Sequence, residues 1–573
     1  MKLGYVATLL LLAGCAGHSN SPIISADKVI LGANILTQDP NLPTANALAI
    51  KDGKILLVGS DTQVQPLIGD DTVVLTLNGQ TVLPGLIDSH IHSIEGALAL
   101  LACNLNDQAM DLKTLGEHIQ TCASQYPGDW LEVLNLPSVG LALNKQKLDQ
   151  LLPDRPLFII STDGHTGWAN SLALKRAGIT ADTQAPHDGR IVKDTQQQPT
   201  GMLVDGATAL VSRHLPKPDL SYKIQAMQAA LAGFYQHGIT SFLEANSNAD
   251  SVALFCALKQ QHQLQAKVNL ALGSKGSSDD EEFARLHKLR NQAESCGLMA
   301  DTIKLYADGV MEYPTQSAAL HAPYLNASEH GDNWRGKLYI PPTDLDAFVQ
   351  RAQAEGFSLH IHAIGDAAIS ESLDAFAKAR AVEDSPVVRF SITHLQLISP
   401  EDITRFSELN VLASMQLLWA QPDEYSVDAL APYLGEHRHN QIYPAASLLK
   451  AGASIAGGSD WNVSDYNPFA AMAVAISRQN LQEPARPSLN SQEALPLSAL
   501  LEAYTRHSAE LMGIAAHSGQ LKSGMDADIV ILDRQLTDTS DPQTVADTKV
   551  SMTLIDGKVV YDAGTQMASG QDH

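Results

Sequence analysis

Cysteine is scarce in this chain: five in 573 residues, and no two of them are spaced Cys-x-x-Cys. That spacing argues against a thiolate zinc site and against a thioredoxin-type redox motif. Basic runs are missing as well. With 38 Lys and Arg against 63 Asp and Glu, the net charge is −25, and no cluster supplies the basic face that a phosphate backbone needs. No nucleic-acid partner is expected, and the acidic surplus reads as solubility. Beyond the first residues there is no run of 18 or more apolar residues, so the remainder is expected to be soluble. Low-complexity linkers are lacking too; residues 180–200 and 273–281 read as ordinary polar loops.

What is present begins with an address. Lys2 supplies a positive start, Val6 through Leu12 a short apolar core, and Leu12-Ala13-Gly14-Cys15 resembles a bacterial lipobox. The resemblance implies a signal peptide over residues 1–14, lipidation of Cys15 and a mature tether over 15–24. Ala16 stands where an inner-membrane retention signal would carry Asp, which implies the periplasmic face of a Gram-negative outer membrane. Cys103, Cys122, Cys256 and Cys296 then remain, and a Cys103–Cys122 disulfide is open to the chain in that oxidising compartment.

A chain of this length suggests one large catalytic domain and a smaller one. Short strands are expected at both ends: Lys28–Leu31, Ala47–Ile50, Ile55–Val58 and Thr72–Leu75 near the start, Asp528–Leu532, Val550–Ile555 and Lys558–Tyr561 near the finish. Asp52-Gly53 and Asp556-Gly557 are hairpin signals within these runs. Between them, apolar runs at 157–161, 240–244, 268–272, 302–306, 358–362, 389–394, 411–415 and 454–458 alternate with helical segments such as 222–237, 343–354 and 367–379. Alternation over that length suggests a parallel sheet, and the repeat count favours a (β/α)8 barrel with insertions.

The polar residues of interest fall at the C-terminal ends of these runs, where barrel enzymes place their chemistry. His90 and His92 flank Ile91, so on a strand both imidazoles share one face and can bind one metal ion. Lys304 points opposite to Ile303 and Leu305, a costly placement unless the amine is paired, with Asp308 or Glu312, or modified. His360 and His362 share a face, His394 closes a run, and Asp460 follows Gly457-Gly458-Ser459. Any one of these is compatible with a core or turn residue; the ordered set is not easily one.

Pro84 through His92, Lys304-Leu305-Tyr306-Ala307-Asp308-Gly309, His362-Ala363-Ile364-Gly365-Asp366, Thr393-His394-Leu395, Gly458-Ser459-Asp460 and residues 518–528 together resemble the amidohydrolase superfamily, in its amidohydrolase-3 or YtcJ-like branch. The resemblance implies a metal-dependent TIM barrel over residues 84–511 and a composite β-sandwich from 25–83 and 512–566. It implies two divalent metals, expected to be zinc from the nitrogen and oxygen ligands. His90, His92 and Asp460 would hold the more buried ion; a carbamate on Lys304 would bridge to a second, held by His362 and His394. The His-Ala-Ile-Gly-Asp register favours His362 over His360. Asp460 and His394 would act in catalysis, and His165, Tyr306 and Trp461, with Glu312, are candidates for the substrate pocket. The implied activity is hydrolysis of a non-peptide amide or N-acyl bond in a small molecule. A deaminase of cyclic substrates, and a lipid-anchored binding protein without turnover, are the alternatives. Oligomeric state stays open, a homodimer included.

Overall fold

The computed structural model describes residues 25–126, 128–137, 140–327 and 331–564. The lipobox and Cys15 lie outside them. Among the described residues no helix is long and apolar enough to cross a membrane.

Eight parallel strands form the central sheet: Leu86–Ile91, Ile239–Ser247, Lys267–Gly273, Met299–Tyr306, Ser358–Ala363, Phe390–His394, Val411–Met415 and Ile455–Gly457. Their side chains are almost continuously buried, as expected for strands covered by helices outside and packed layers inside. Helices Leu220–Gln236, Asp280–Ser295, Pro342–Ala354 and Asp366–Arg380 lie between successive strands. Asp219 and Asp279 cap the first two by accepting the backbone N–H of Tyr222 and Glu282.

No ladder joins the first and last barrel strands; individual contacts do so. Asp460 N–H donates to the His90 carbonyl at 2.8 Å and His92 N–H to the Trp461 carbonyl at 2.7 Å. Buried Asp88 reinforces the seam, its Oδ1 accepting from the N–H groups of both His90 (3.1 Å) and Ser459 (3.0 Å).

The run at 157–161 is not a barrel strand. Leu157–Ser161 turns through Asp163-Gly164 and pairs antiparallel with Thr166–Ala169, a connection too short to hold a crossover helix. With Leu131–Leu136, Gly189–Lys193 and Pro199–Asp205 it builds a separate five-stranded sheet, inserted between the first two barrel strands. This insert has its own apolar packing, around Trp168 on one side and Phe158 on the other. The first barrel strand is Leu86–Ile91.

The two chain ends do combine into a β-sandwich. Lys28–Leu31, Ala47–Lys51, Lys54–Gly59 and Val73–Thr76 form one sheet. In the other, Ile529–Leu532 pairs antiparallel with Thr81–Pro84, and Val550–Ile555 and Lys558–Asp562 extend it. Asp52-Gly53 and Asp556-Gly557 have positive φ at both positions, as tight hairpin turns require. Cys103 bonds Cys122, and Cys256 bonds Cys296.

Candidate metal centre

Alternation along the first barrel strand buries Ile91 in the apolar layer and turns His90 and His92 to the barrel interior. The seam then brings Asp460 against them. His90 Nε2 lies 3.2 Å and His92 Nε2 3.3 Å from Asp460 Oδ1. That oxygen is buried and has no hydrogen-bond donor. His394 and Asp460 both take left-handed backbone conformations, φ +80° and +56°, which neither residue adopts without cost.

Two imidazole nitrogens and an orphaned carboxylate oxygen, with all three ligand atoms within 4.8 Å of one another, make a donor set that a divalent ion satisfies. The histidines are in the right state for it. Burial holds His90 well below its ordinary range and brings His92 down to about 4, so both are neutral at pH 7. His90, His92 and Asp460 could therefore hold a metal.

Lys304, His362 and His394 stand around this trio. Lys304 is fully buried, with Nζ 3.4 Å from His90 Nε2 and 4.7 Å from the centre of the Tyr306 ring. It has no ion pair with a carboxylate among the described residues. Asp308 instead accepts the N–H groups of Ala319, Ile364 and Gly365, and Glu312 accepts from Gln396. Burial lowers the Lys304 amine to about 7. The rings of His362 and His394 lie 4.4 Å apart, centre to centre. His362 Nε2 sits 3.0 Å from the Gly309 carbonyl, and His394 Nδ1 sits 2.9 Å from Gln416 Oε1. Each bond takes one ring N–H and leaves the opposite nitrogen a free lone pair.

The insert contributes His165, whose ring centre is 5.9 Å from that of His362. Asp205 accepts from its Nδ1 at 2.6 Å. Burial works against charge on this imidazole, but the bond to Asp205 and the charges of Asp205, Asp163 and Asp460 prevail and raise it to about 9. Tyr306 faces His362 at 5.2 Å. Trp461 is placed differently: its indole packs on Phe234 and Tyr466, over Gly96, where a Cβ would come within 2.4 Å of the ring. His360 is fully buried, with both ring nitrogens already in contact with His90 and Ser391.

Asp88, Asp205 and Gln416 escaped the sequence reading. Asp88 lies two residues before His90, on the same strand face, and alternation could have found it. Asp205 ends a strand of the insert and Gln416 follows a barrel strand, and neither carries a local signal.

Residues 74–561 match the pattern of the Amidohydrolase family. The chain belongs to that family. It is a hydrolase acting on carbon–nitrogen bonds. An N-substituted formamide deformylase from Arthrobacter pascens is 26% identical over 94% of this chain and 98% of its own length. The putative amidohydrolase YtcJ of Bacillus subtilis is 27% identical over 90% of this chain and 96% of its own. A metal-dependent hydrolase from Pyrococcus horikoshii shares the fold, with a TM-score of 0.67 at 22% identity over 89% of this chain and 98% of that one.

Proposed function

We propose that this amidohydrolase cleaves an amide or N-acyl bond of a small molecule, using two divalent ions, zinc by ligand type. His90, His92 and Asp460 would hold one ion. Lys304 as a carbamate, with His362 and His394, would hold the other. The observation that carries the reading is Asp460 Oδ1, buried without a donor between two neutral imidazoles. Divalent ions there would acidify a water and polarise the scissile carbonyl.

The remaining chemistry belongs to the chain. Asp460 accepts the proton of the attacking water on its carboxylate and delivers it to the departing nitrogen. His165, kept cationic by Asp205, donates to the carbonyl oxygen as charge builds on it. Lys304 favours carbamate formation because burial brings its amine close to neutrality, and a neutral amine is the form that adds to carbon dioxide. The carbamate also replaces an unpaired buried cation with an anion facing the metals.

The relative that removes formyl groups from substituted formamides directs the first substrates to N-acylated amines. The lipobox at Leu12–Cys15 supports anchoring in a bacterial envelope, and two disulfides suit the oxidising side of that membrane. Metal analysis of the purified protein with a hydrolysis screen of N-formyl and N-acyl amines and amino acids tests the reading. Close to two zinc ions per chain and turnover of one class are expected. Asp460→Asn should lose the tightly bound metal and lower kcat by on the order of a thousandfold. A wild-type protein with neither metal nor turnover would favour a binding protein.

A further inference from the structure

His360 has the look of a metal ligand in sequence, yet both its ring nitrogens are spoken for. Nε2 lies 2.6 Å from His90 Nδ1, and Nδ1 lies 2.8 Å from Ser391 Oγ. The His90 and His360 rings are 4.9 Å apart, and neither has any surface exposed to solvent. Beyond Ser391 stands the Leu359 carbonyl, which accepts from Ser391 Oγ at 3.1 Å. The four groups form a line that ends at the metal centre.

Counting protons along that line fixes its direction. A serine has one hydroxyl proton, and the Leu359 carbonyl beside it can only accept, so that proton is assigned to the carbonyl. Ser391 Oγ must then accept from His360 Nδ1–H. In the tautomer with its N–H at Nδ1, His360 presents Nε2 as a lone pair to His90 Nδ1, 2.6 Å away. That lone pair accepts from His90 Nδ1–H. His90 in turn is left with a bare Nε2, the atom 3.2 Å from Asp460 Oδ1. Lys304 Nζ also faces that nitrogen, at 3.4 Å, while Asp460 Oδ1 and His90 Nε2 are two acceptors face to face, the arrangement a cation between them resolves.

We propose that His360 is a positioning residue that locks His90 in the tautomer whose Nε2 binds metal, with Ser391 and the Leu359 carbonyl setting the direction of the relay. The inference rests on the metal-centre reading above. Reversal of the line, with Ser391 donating to His360 and His360 to His90, would put a proton on His90 Nε2 and block that ligand. His360 therefore supports the centre from beneath without joining it. The bonds of His362 to Gly309 and of His394 to Gln416 do the same for those rings by shorter routes.

The test compares zinc affinity, by competition with a chromophoric chelator, in wild type, His360→Phe, His360→Gln and Ser391→Ala. His360→Phe fills the space without an acceptor and should bind zinc about 10- to 100-fold more weakly. His360→Gln can present Oε1 to His90 Nδ1–H and should recover most of the loss, which a purely structural role would not allow. Ser391→Ala, the milder change should His360→Phe fail to fold, should weaken binding several-fold. Nitrogen-15 shifts of the metal-free wild type should show His90 protonated at Nδ1 and bare at Nε2. Wild-type zinc affinity in folded His360→Phe would overturn the relay while leaving the metal centre standing. Failure of wild type to bind zinc would instead remove the centre, and a protonated His90 Nε2 would remove the relay whether or not zinc binds.

Discussion

Asp460 donates its backbone N–H to the carbonyl of His90 at 2.8 Å, and this bond sets two proposed ligands of one ion side by side. The contact that closes the barrel thus also brings candidate ligands together. Asp88 secures the junction by accepting from His90 and Ser459 together.

Asp88→Ala should separate these functions from ligand chemistry. It leaves two buried N–H groups without an acceptor, a cost of roughly 2–6 kcal/mol at about 1–3 kcal/mol each. Urea unfolding should register that loss, and zinc affinity should fall with it although no ligand has been removed. Unchanged zinc binding in the destabilised variant would mean that the seam and the centre are independent.

Lys304 is expected to behave as a ligand precursor. Lys304→Ala should lower metal content towards one ion per chain or less and reduce kcat at least about a hundredfold. Small carboxylic acids, which can occupy the space of the missing carbamate, should restore part of both. In wild type, ¹³C-bicarbonate should give a carbamate carbon resonance that disappears on acid treatment. Normal metal content and turnover in Lys304→Ala would exclude the bridging role.

These expectations show which parts of the molecule its sequence discloses. Strand ends are legible because alternation and burial are local: Ile91 and Ile303 face the packed layers, so His90, His92 and Lys304 must face inward. Hairpins at Asp52-Gly53 and Asp556-Gly557 are legible for the same reason, since positive φ at both positions is a local demand. The run at 157–161 misled because a buried strand looks alike in a barrel and in an antiparallel insert; only its short turn to Thr166 separates them. Asp205 and Gln416 were invisible because their meaning lies in a partner on another element. His360 was ambiguous because its neighbour His90 comes from a distant strand, and proton accounting needs both.

The His165–Asp205 pair gives the metal-free protein a pH-dependent stability whose sign is fixed. A histidine raised from 6.5 to about 9 on folding contributes its full stabilisation below about pH 6.5 and loses it as pH rises through about 9. The contribution is on the order of 3 kcal/mol by the free energy of each pKa unit. Asp205→Asn removes the carboxylate while keeping the shape. Its stability deficit in urea should be largest near neutral pH and below, and should close by about pH 10. A deficit constant across that range would show that Asp205 acts through packing and not through the charge on His165.

The two disulfides should matter unequally. Cys103–Cys122 closes 19 residues and Cys256–Cys296 closes 40, so chain entropy assigns them roughly 3 and roughly 4 kcal/mol. The larger loop also joins the helices Ala249–Gln260 and Asp280–Ser295 against the outside of the barrel, so its loss should loosen packing there. Protein made in an oxidising compartment should show none of these four thiols to a thiol reagent, even when unfolded. Cys256→Ala/Cys296→Ala should lower the midpoint of thermal unfolding more than Cys103→Ala/Cys122→Ala. The Cys103–Cys122 pair lies just beyond the helix Ser93–Leu100 that follows the strand carrying the proposed ligand His90, so its removal should also lower substrate turnover. Equal midpoints with unequal turnover would still support the local role of Cys103–Cys122, whereas the reverse order of midpoints would contradict the loop-closure account.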